Sequence, residues 1–200
     1  INALAYETSK RQIIDLYNGR QDIKDKVVRA VGKPNDRFEE DPLRIMRGVR
    51  LASELNFVIS GETLEAMQKK ADLLRFIAQE RIRDEFARVI MSNNLMIGIV
   101  MLHQIGVLKQ FLPELKEGVH MKQNGDHIYD VWEHTLRVAQ HAADRDWPFH
   151  VRLAALFHDI GKPRTREWDK EKNDWTFYGH DVVGAKMTRE IMERLKFSKQ

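Results

Sequence analysis

Two histidines and an aspartate carry the clearest chemistry in the sequence. His134 lies in the segment Val131 to Ala142, where Val131, His134, Thr135, Val138 and Ala142 share one helical face, so its imidazole points toward a core or a buried site. His158 and Asp159 are adjacent at the end of the apolar run VRLAALFHDIG, with Gly161 as a helix stop before Pro163. A carboxylate beside an imidazole is costly to bury unless each is hydrogen-bonded or shares a cation, and a divalent ion satisfies both at once. Adjacent residues diverge by about 100° around a helix, yet near its end both can reach one ion beside that turn. His134, from a neighbouring helix, completes a three-ligand arc. With no cysteine in the chain the ligands must be nitrogen and oxygen, which leaves Mg, Mn, Ni, Co, Fe and Zn open. The competing reading, a cap or surface ion pair at His158 and Asp159, weakens once His134 and the following Gly161-Lys162-Pro163 are taken with them.

A second group lies on a helix expected to start at Pro42, with Asp41 as its cap. Arg44, Arg47 and Arg50 recur at intervals of three and drift slowly around one side. A carboxylate can accept from the exocyclic amine of cytosine or adenine while a guanidinium donates to the ring acceptor beside it, and uracil and guanine present the opposite polarity. Spacing alone favours a plainer reading, a capping aspartate and a solvated arginine face. Other candidates carry less. His127, His134 and His141 form a stripe whose members are about 10 Å apart along a helix axis, too far to share one ion. Asp144 and Asp146 read as a solvated loop.

The elements that must position these residues are mainly helical. Leu43, Met46, Val49 or Ala52, and Leu55 recur at helical spacing. Further helices are expected near 62–74, 78–91, 94–105, 126–144, 150–160 and 181–195. Gln12 to Tyr17 and Lys26 to Val31 read as short strands joined by an Asn18-Gly19 turn, and Thr165 to Tyr178 as a hairpin. Asn124-Gly125 is the best candidate domain junction. On 80–88 the plain reading is a surface helix laced by Arg81 with Glu85 and Asp84 with Arg88.

The balance of 33 basic and 30 acidic residues locates no nucleic-acid surface by itself. The longest apolar run, 95–102 with Gly98 inside it, is far short of the roughly 18–20 residues of a membrane span. The first residues have no secretory-signal pattern, and a chain that starts at Ile1 rather than Met reads as a fragment of something longer. Absence of cysteine fits a reducing cytoplasm.

Two resemblances organise these residues. VWEHTLRVA, ALFHDIGKP and FYGHDVVGA, over about 120–200, resemble the HD superfamily of metal-dependent phosphohydrolases. By position the resemblance implies His134, His158 and Asp159 as metal ligands, Lys162 as a phosphate contact beside the catalytic Asp159, and His180 as a ligand for metal or phosphate. It also implies a further aspartate on a later helix, not matched before Gln200. The run RFEEDPLRIMRGVRLASELNF resembles the neck of the bacterial-type tRNA nucleotidyltransferase and poly(A) polymerase family. Its glutamate-aspartate-x-x-arginine motif falls on Glu40, Asp41 and Arg44, implying base recognition by Asp41 and Arg44 and triphosphate contacts by Arg47 and Arg50. QERIRDEFARVI resembles the supporting helix with Arg81. The paired aspartates of that family's polymerising head have no match here.

The fold expected is therefore mainly α: a head remnant over 1–32 with a small β element, a nucleotide-selecting, RNA-binding neck over 33–92, body helices over 93–119 and an HD domain over 120–200. The function implied is part of a CCA-adding enzyme that joins CMP and AMP to tRNA 3′ ends, with a divalent metal, ATP, CTP and tRNA as cofactors and partners, no membrane, and a cytoplasmic location. This piece alone is not expected to polymerise. The alternative is mainly hydrolytic, a metal-dependent phosphatase or cyclic phosphodiesterase for nucleotides or RNA ends. Oligomeric state is left open.

Overall fold

The computed structural model describes residues 3–125 and 128–198. His127 lies outside them. The chain runs β1 (Leu4–Glu7), β2 (Gln12–Asp15), α1 (Gly19–Lys24), β3 (Val27–Val28), α2 (Pro34–Glu40), α3 (Leu43–Leu55), β4 (Val58–Ile59) and α4 (Gly61–Lys70). A 3-10 turn, Ala71–Phe76, leads to α5 (Gln79–Ile90), α6 (Leu95–Ile105), α7 (Leu108–Phe111) and α8 (Pro113–Lys116). The rest comprises α9 (Val131–Asp144), α10 (Phe149–Phe157), α11 (Lys162–Thr165), the strands β5 (Glu167–Asp169) and β6 (Asp174–Thr176), and α12 (His180–Arg194). The mainly α expectation holds. Among the described residues no helix is long and apolar enough to cross a membrane.

The core is one continuous cluster. Ile45, Met46 and Val49 of α3 meet Ile82, Phe86 and Val89 of α5, and α6 extends the cluster to Leu136 and Ala139 of α9. Gly98 lets α6 come this close: a Cβ there would stand 2.5 Å from Val89 Cγ1 and 2.9 Å from Ser53 Oγ. Burying whole helical stripes in this way is what stabilises helices too short to persist alone.

One buried arginine ties the two ends of this core. Arg152 of α10, 2% exposed, donates from Nη1 to Met91 O at 3.1 Å and Ser92 O at 3.2 Å, and from Nε to Trp147 O at 2.7 Å. These carbonyls include those left over where α5 ends, the natural place for a cation.

The N-terminal strand pairing differs from the sequence expectation. β2 pairs antiparallel with β1, and the two residues of β3 pair in parallel with β4. Asn18-Gly19 is no hairpin turn, because the Asp15 carboxylate accepts the backbone N–H groups of Gly19 at 2.8 Å and Arg20 at 3.0 Å, which starts α1 instead. The expected helix over 62–74 gives way to 3-10 geometry after Lys70. The helix expected from 126 begins at Val131, where the Asp130 side chain accepts from Glu133 N at 2.6 Å and sets the cap. The hairpin near 165–178 forms, with Trp168 opposite Trp175.

Candidate functional site

His134 projects from the first half of α9, while His158 and Asp159 follow the last turn of α10. α9 packs on α10, and that contact brings the three together. His134 Nε2 lies 3.3 Å from His158 Nε2 and 3.4 Å from Asp159 Oδ2, and His158 Nε2 lies 3.2 Å from the same oxygen. Three ligands about 2.0–2.1 Å from one ion at tetrahedral angles are about 3.3–3.4 Å apart, so this triangle has the dimensions of three corners of a metal site. The His158 proton sits on Nδ1, which donates to Ala155 O at 2.8 Å and leaves Nε2 facing the triangle.

Asp159 is nearly enclosed, with 5% of its side chain exposed. Its Oδ2 is shut off from solvent, with Lys162 Nζ at 2.7 Å, His158 Nε2 at 3.2 Å and His134 Nε2 at 3.4 Å around it. A buried carboxylate oxygen in that state, beside two imidazole nitrogens, fits a divalent ion. Burial alone would raise the Asp159 pKa, but His158 and Lys162 outweigh it and hold the carboxyl far below its ordinary value. Burial opposes charge on His158 as well, and there the Asp159 carboxylate wins and raises the pKa above the ordinary histidine value.

Lys162, at the start of α11, puts Nζ 2.7 Å from Asp159 Oδ2. His180, the first residue of α12, stands on the other side, with Nε2 3.7 Å from Asp159 Oδ1 and Nδ1 donating to Phe177 O. Its Nε2 thus borders the other carboxylate oxygen of Asp159, outside the triangle of close contacts. Gly161 has φ −81°, so it is no left-handed stop. Its lack of a side chain serves close approach instead: a Cβ would fall 2.2 Å from His180 O and 2.7 Å from Gly184 N.

The second group lies on the other flank of the core. Arg44, Arg47 and Arg50 line one groove of about 640 Å³ together with Arg29, Arg37 and Arg88, with Glu85 as its single acid. Glu85, 8% exposed, binds both Arg47 Nε at 3.0 Å and Arg50 Nη1 at 3.3 Å. Asp41 does two things: Oδ1 accepts from Leu43 N at 3.2 Å, capping α3, and Oδ2 meets Arg81 Nη2 at 3.3 Å. Arg44 reaches Glu40 instead, at 3.7 Å. The pairs expected along α5 are replaced by pairs to α3, Glu85 with Arg47 and Arg50, and Arg88 with Glu54 at 3.1 Å. α5 is thus the support of the arginine helix. Asp144 and Asp146 are exposed, but only Asp146 lies in a loop: Asp144 is the last residue of α9.

Sequence reasoning missed Gln123, Glu85 as the anchor of two arginines, and Arg29, Arg37 and Arg88 as lining. Arg37, Glu85 and Arg88 carried a signal, sitting inside the segments already singled out.

Fold and site together define a helical protein with an HD-type histidine-aspartate centre and an arginine-lined groove. Residues 131–200 match the HD domain family, and residues 56–118 match the family described as a probable RNA and SrmB-binding site of polymerase A. The chain is 38% identical to an A-adding tRNA nucleotidyltransferase of Deinococcus radiodurans over 98% of its length, and 36% identical to a CC-adding tRNA nucleotidyltransferase of Thermus thermophilus over all of it. It spans about half of these relatives, 46% and 47% of their lengths. In fold it resembles a tRNA-processing enzyme with CTP (TM-score 0.62, 19% identity, 99% of this chain, 48% of that one). The Thermotoga maritima CCA-adding enzyme complexed with tRNA is similar at the same TM-score and identity, with 42% of its length covered. Along its whole length the chain is thus similar to tRNA nucleotidyltransferases, and its residues 131–200 match the HD domain family.

Proposed function

We propose that this chain is the nucleotide-selecting and RNA-binding part of an enzyme that adds CMP or AMP to tRNA 3′ ends, joined to a metal-dependent phosphohydrolase centre. The observation that carries the first half is the single groove that gathers Arg44, Arg47 and Arg50 directly after the Asp41 cap. In this reading Asp41 and Arg44 read the base, Arg47 and Arg50 hold the triphosphate of CTP or ATP, and Arg81 orients Asp41 through their ion pair. The division of labour follows the segments 1–32, 33–92, 93–119 and 120–200, and the setting is the cytoplasm. Polymerisation itself needs a two-metal centre that activates the primer hydroxyl and stabilises the departing pyrophosphate.

The test is incorporation of labelled CTP and ATP into tRNA lacking its 3′ end, by the polypeptide encoded by the complete gene. Arg44→Ala should abolish discrimination between CTP and UTP. No incorporation by the unaltered enzyme would sink the proposal.

The triangle of His134, His158 and Asp159 supports a second, compatible activity. These residues would hold a divalent ion, among Mg, Mn, Ni, Co, Fe and Zn, which supplies an acidified water and withdraws charge from a phosphoryl oxygen. Lys162 and His180 lie beside different oxygens of Asp159, within reach of the oxygens of a phosphate ester bound there. Hydrolysis of a 2′,3′-cyclic phosphate or a phosphomonoester, lost in both His158→Ala and Asp159→Ala, tests this reading.

A further inference from the structure

Lys162 stands between two acceptors. Its Nζ lies 2.7 Å from Asp159 Oδ2 and donates to Gln123 Oε1, also at 2.7 Å. A further side is closed by the Phe177 ring, whose centre is 5.7 Å away. An ammonium group has donors only, so the amide oxygen of Gln123 must face it, and Gln123 is held in that sense because its Nε2 donates to Tyr129 O at 3.2 Å. Gln123 is buried, in the irregular stretch between α8 and α9, where no helix or strand calls for an amide.

Asp159 Oδ2 is also the oxygen that closes the triangle with the two imidazoles. An ammonium and a divalent ion cannot both use its lone pairs at close range, since like charges repel strongly where solvent is excluded. We propose that Lys162 is the resident counter-cation of Asp159, that a divalent ion displaces its ammonium from Oδ2, and that Gln123 is the positioning residue that keeps the displaced ammonium at the site. This rests on His134, His158 and Asp159 being metal ligands. Without Gln123 the ammonium has one acceptor left, remains on Asp159 and competes with the ion. With Gln123 it moves a short way and stays available to a phosphoryl oxygen.

Calorimetric titration of the chain with Mn2+ tests the exchange, with thermal melts of each variant to confirm folding. Lys162→Met should bind Mn2+ several-fold more tightly than wild type, and Gln123→Leu several-fold more weakly. In the Lys162→Met background Gln123→Leu should change nothing. Gln123→Glu, which keeps an acceptor oxygen, should bind at least as tightly as wild type, and together with Lys162→Met it decides the matter if Gln123→Leu does not fold. Equal weakening by Gln123→Leu with and without Lys162, or no tightening in Lys162→Met, overturns the exchange. If wild type binds no Mn2+, or His158→Ala binds as well as wild type, the metal reading falls and the exchange with it. If His158→Ala abolishes binding and the lysine variants show no coupling, only the exchange fails.

Discussion

His134 and His158 face each other through their Nε2 atoms at 3.3 Å, the spacing of two ligands on one ion. The arrangement is made by the α9 and α10 packing contact. An ion that binds the folded chain and not the unfolded one stabilises the fold. An ion at 100 times its dissociation constant adds about 2.7 kcal/mol, so saturating Mn2+ should raise the melting temperature and a chelator should reverse the rise. His134→Ala and His158→Ala each remove a corner of the triangle, and should weaken binding by more than the roughly 10–100-fold typical of losing a supporting partner. Because the Asp159 carboxylate raises the His158 pKa above its ordinary value, protons compete for Nε2 at higher pH than at a free imidazole, and Mn2+ affinity should fall as pH drops. An affinity independent of pH between 8 and about 6 would contradict this.

Gly161→Ala places a methyl group against His180 O and Gly184 N, both backbone atoms that cannot swing aside. α12 must shift, carrying His180 away from Asp159. Overpacking of this kind costs about 1–3 kcal/mol, and hydrolysis should fall further than stability does. Gly61→Ala, with nothing within 4 Å of the added Cβ, is the control. It should leave both properties near wild type, and a matching loss there would sink the steric account.

How far the sequence reached depended on whether a residue's role was set by its own helix or by another element. The grouping of His134, His158 and Asp159 was legible because helical spacing fixes which face His134 occupies, and an apolar run ending in His158 and Asp159 calls for a partner. Asp41 as a cap was legible for a similar local reason. Glu85 was not: along α5 it is four residues from Arg81, yet in the fold the nearest guanidiniums are on α3. Asn18-Gly19 has the form of a hairpin turn, and the capping carboxylate three residues earlier decides otherwise. Gln123 sits in a stretch without periodicity, so only its contacts give it a role.

Glu85→Leu should loosen the groove rather than sharpen it. The substitution makes the groove more positive by one charge, but it removes the carboxylate that aims Arg47 and Arg50. Guanidinium recognition of phosphate depends on the fork being held in place, so CTP affinity should fall in an equilibrium binding assay. Arg50, with 12% of its side chain exposed, keeps only a 3.7 Å contact to Glu54, and stability should drop by about 1–3 kcal/mol. Tighter CTP binding in the variant would show that net charge, not orientation, governs this groove.

Arg152→Met tests the clip between the end of α5 and α10. Methionine fills similar space, but the carbonyls of Met91, Ser92 and Trp147 lose their donor. One buried and two part-buried acceptors left without this donor should cost about 3–5 kcal/mol together, and for a chain of this size each kcal/mol lowers the melting temperature by about 2–4 °C. A shift below about 3 °C would mean that water replaces the guanidinium at little cost.

His103 should make the fold sensitive to mild acid. Its ring packs 5.1 Å from the Trp132 ring, its Nδ1 is buried without a partner, and burial together with the positive charge of Lys116 and His120 lowers its pKa below the ordinary 6.5. The unfolded chain therefore takes up the proton first as pH falls. The stability that neutral His103 contributes is complete above about pH 6.5 and is lost as pH drops through the lower folded-state value. His158 acts in the opposite sense, its contribution fading as pH rises, so the two must be separated by difference. Urea unfolding of wild type and His103→Leu between about pH 8 and 5 does so. The gap between the curves should be constant above about pH 7 and shift in favour of the variant below it. Parallel curves over the whole interval would remove His103 as the acid-sensitive group.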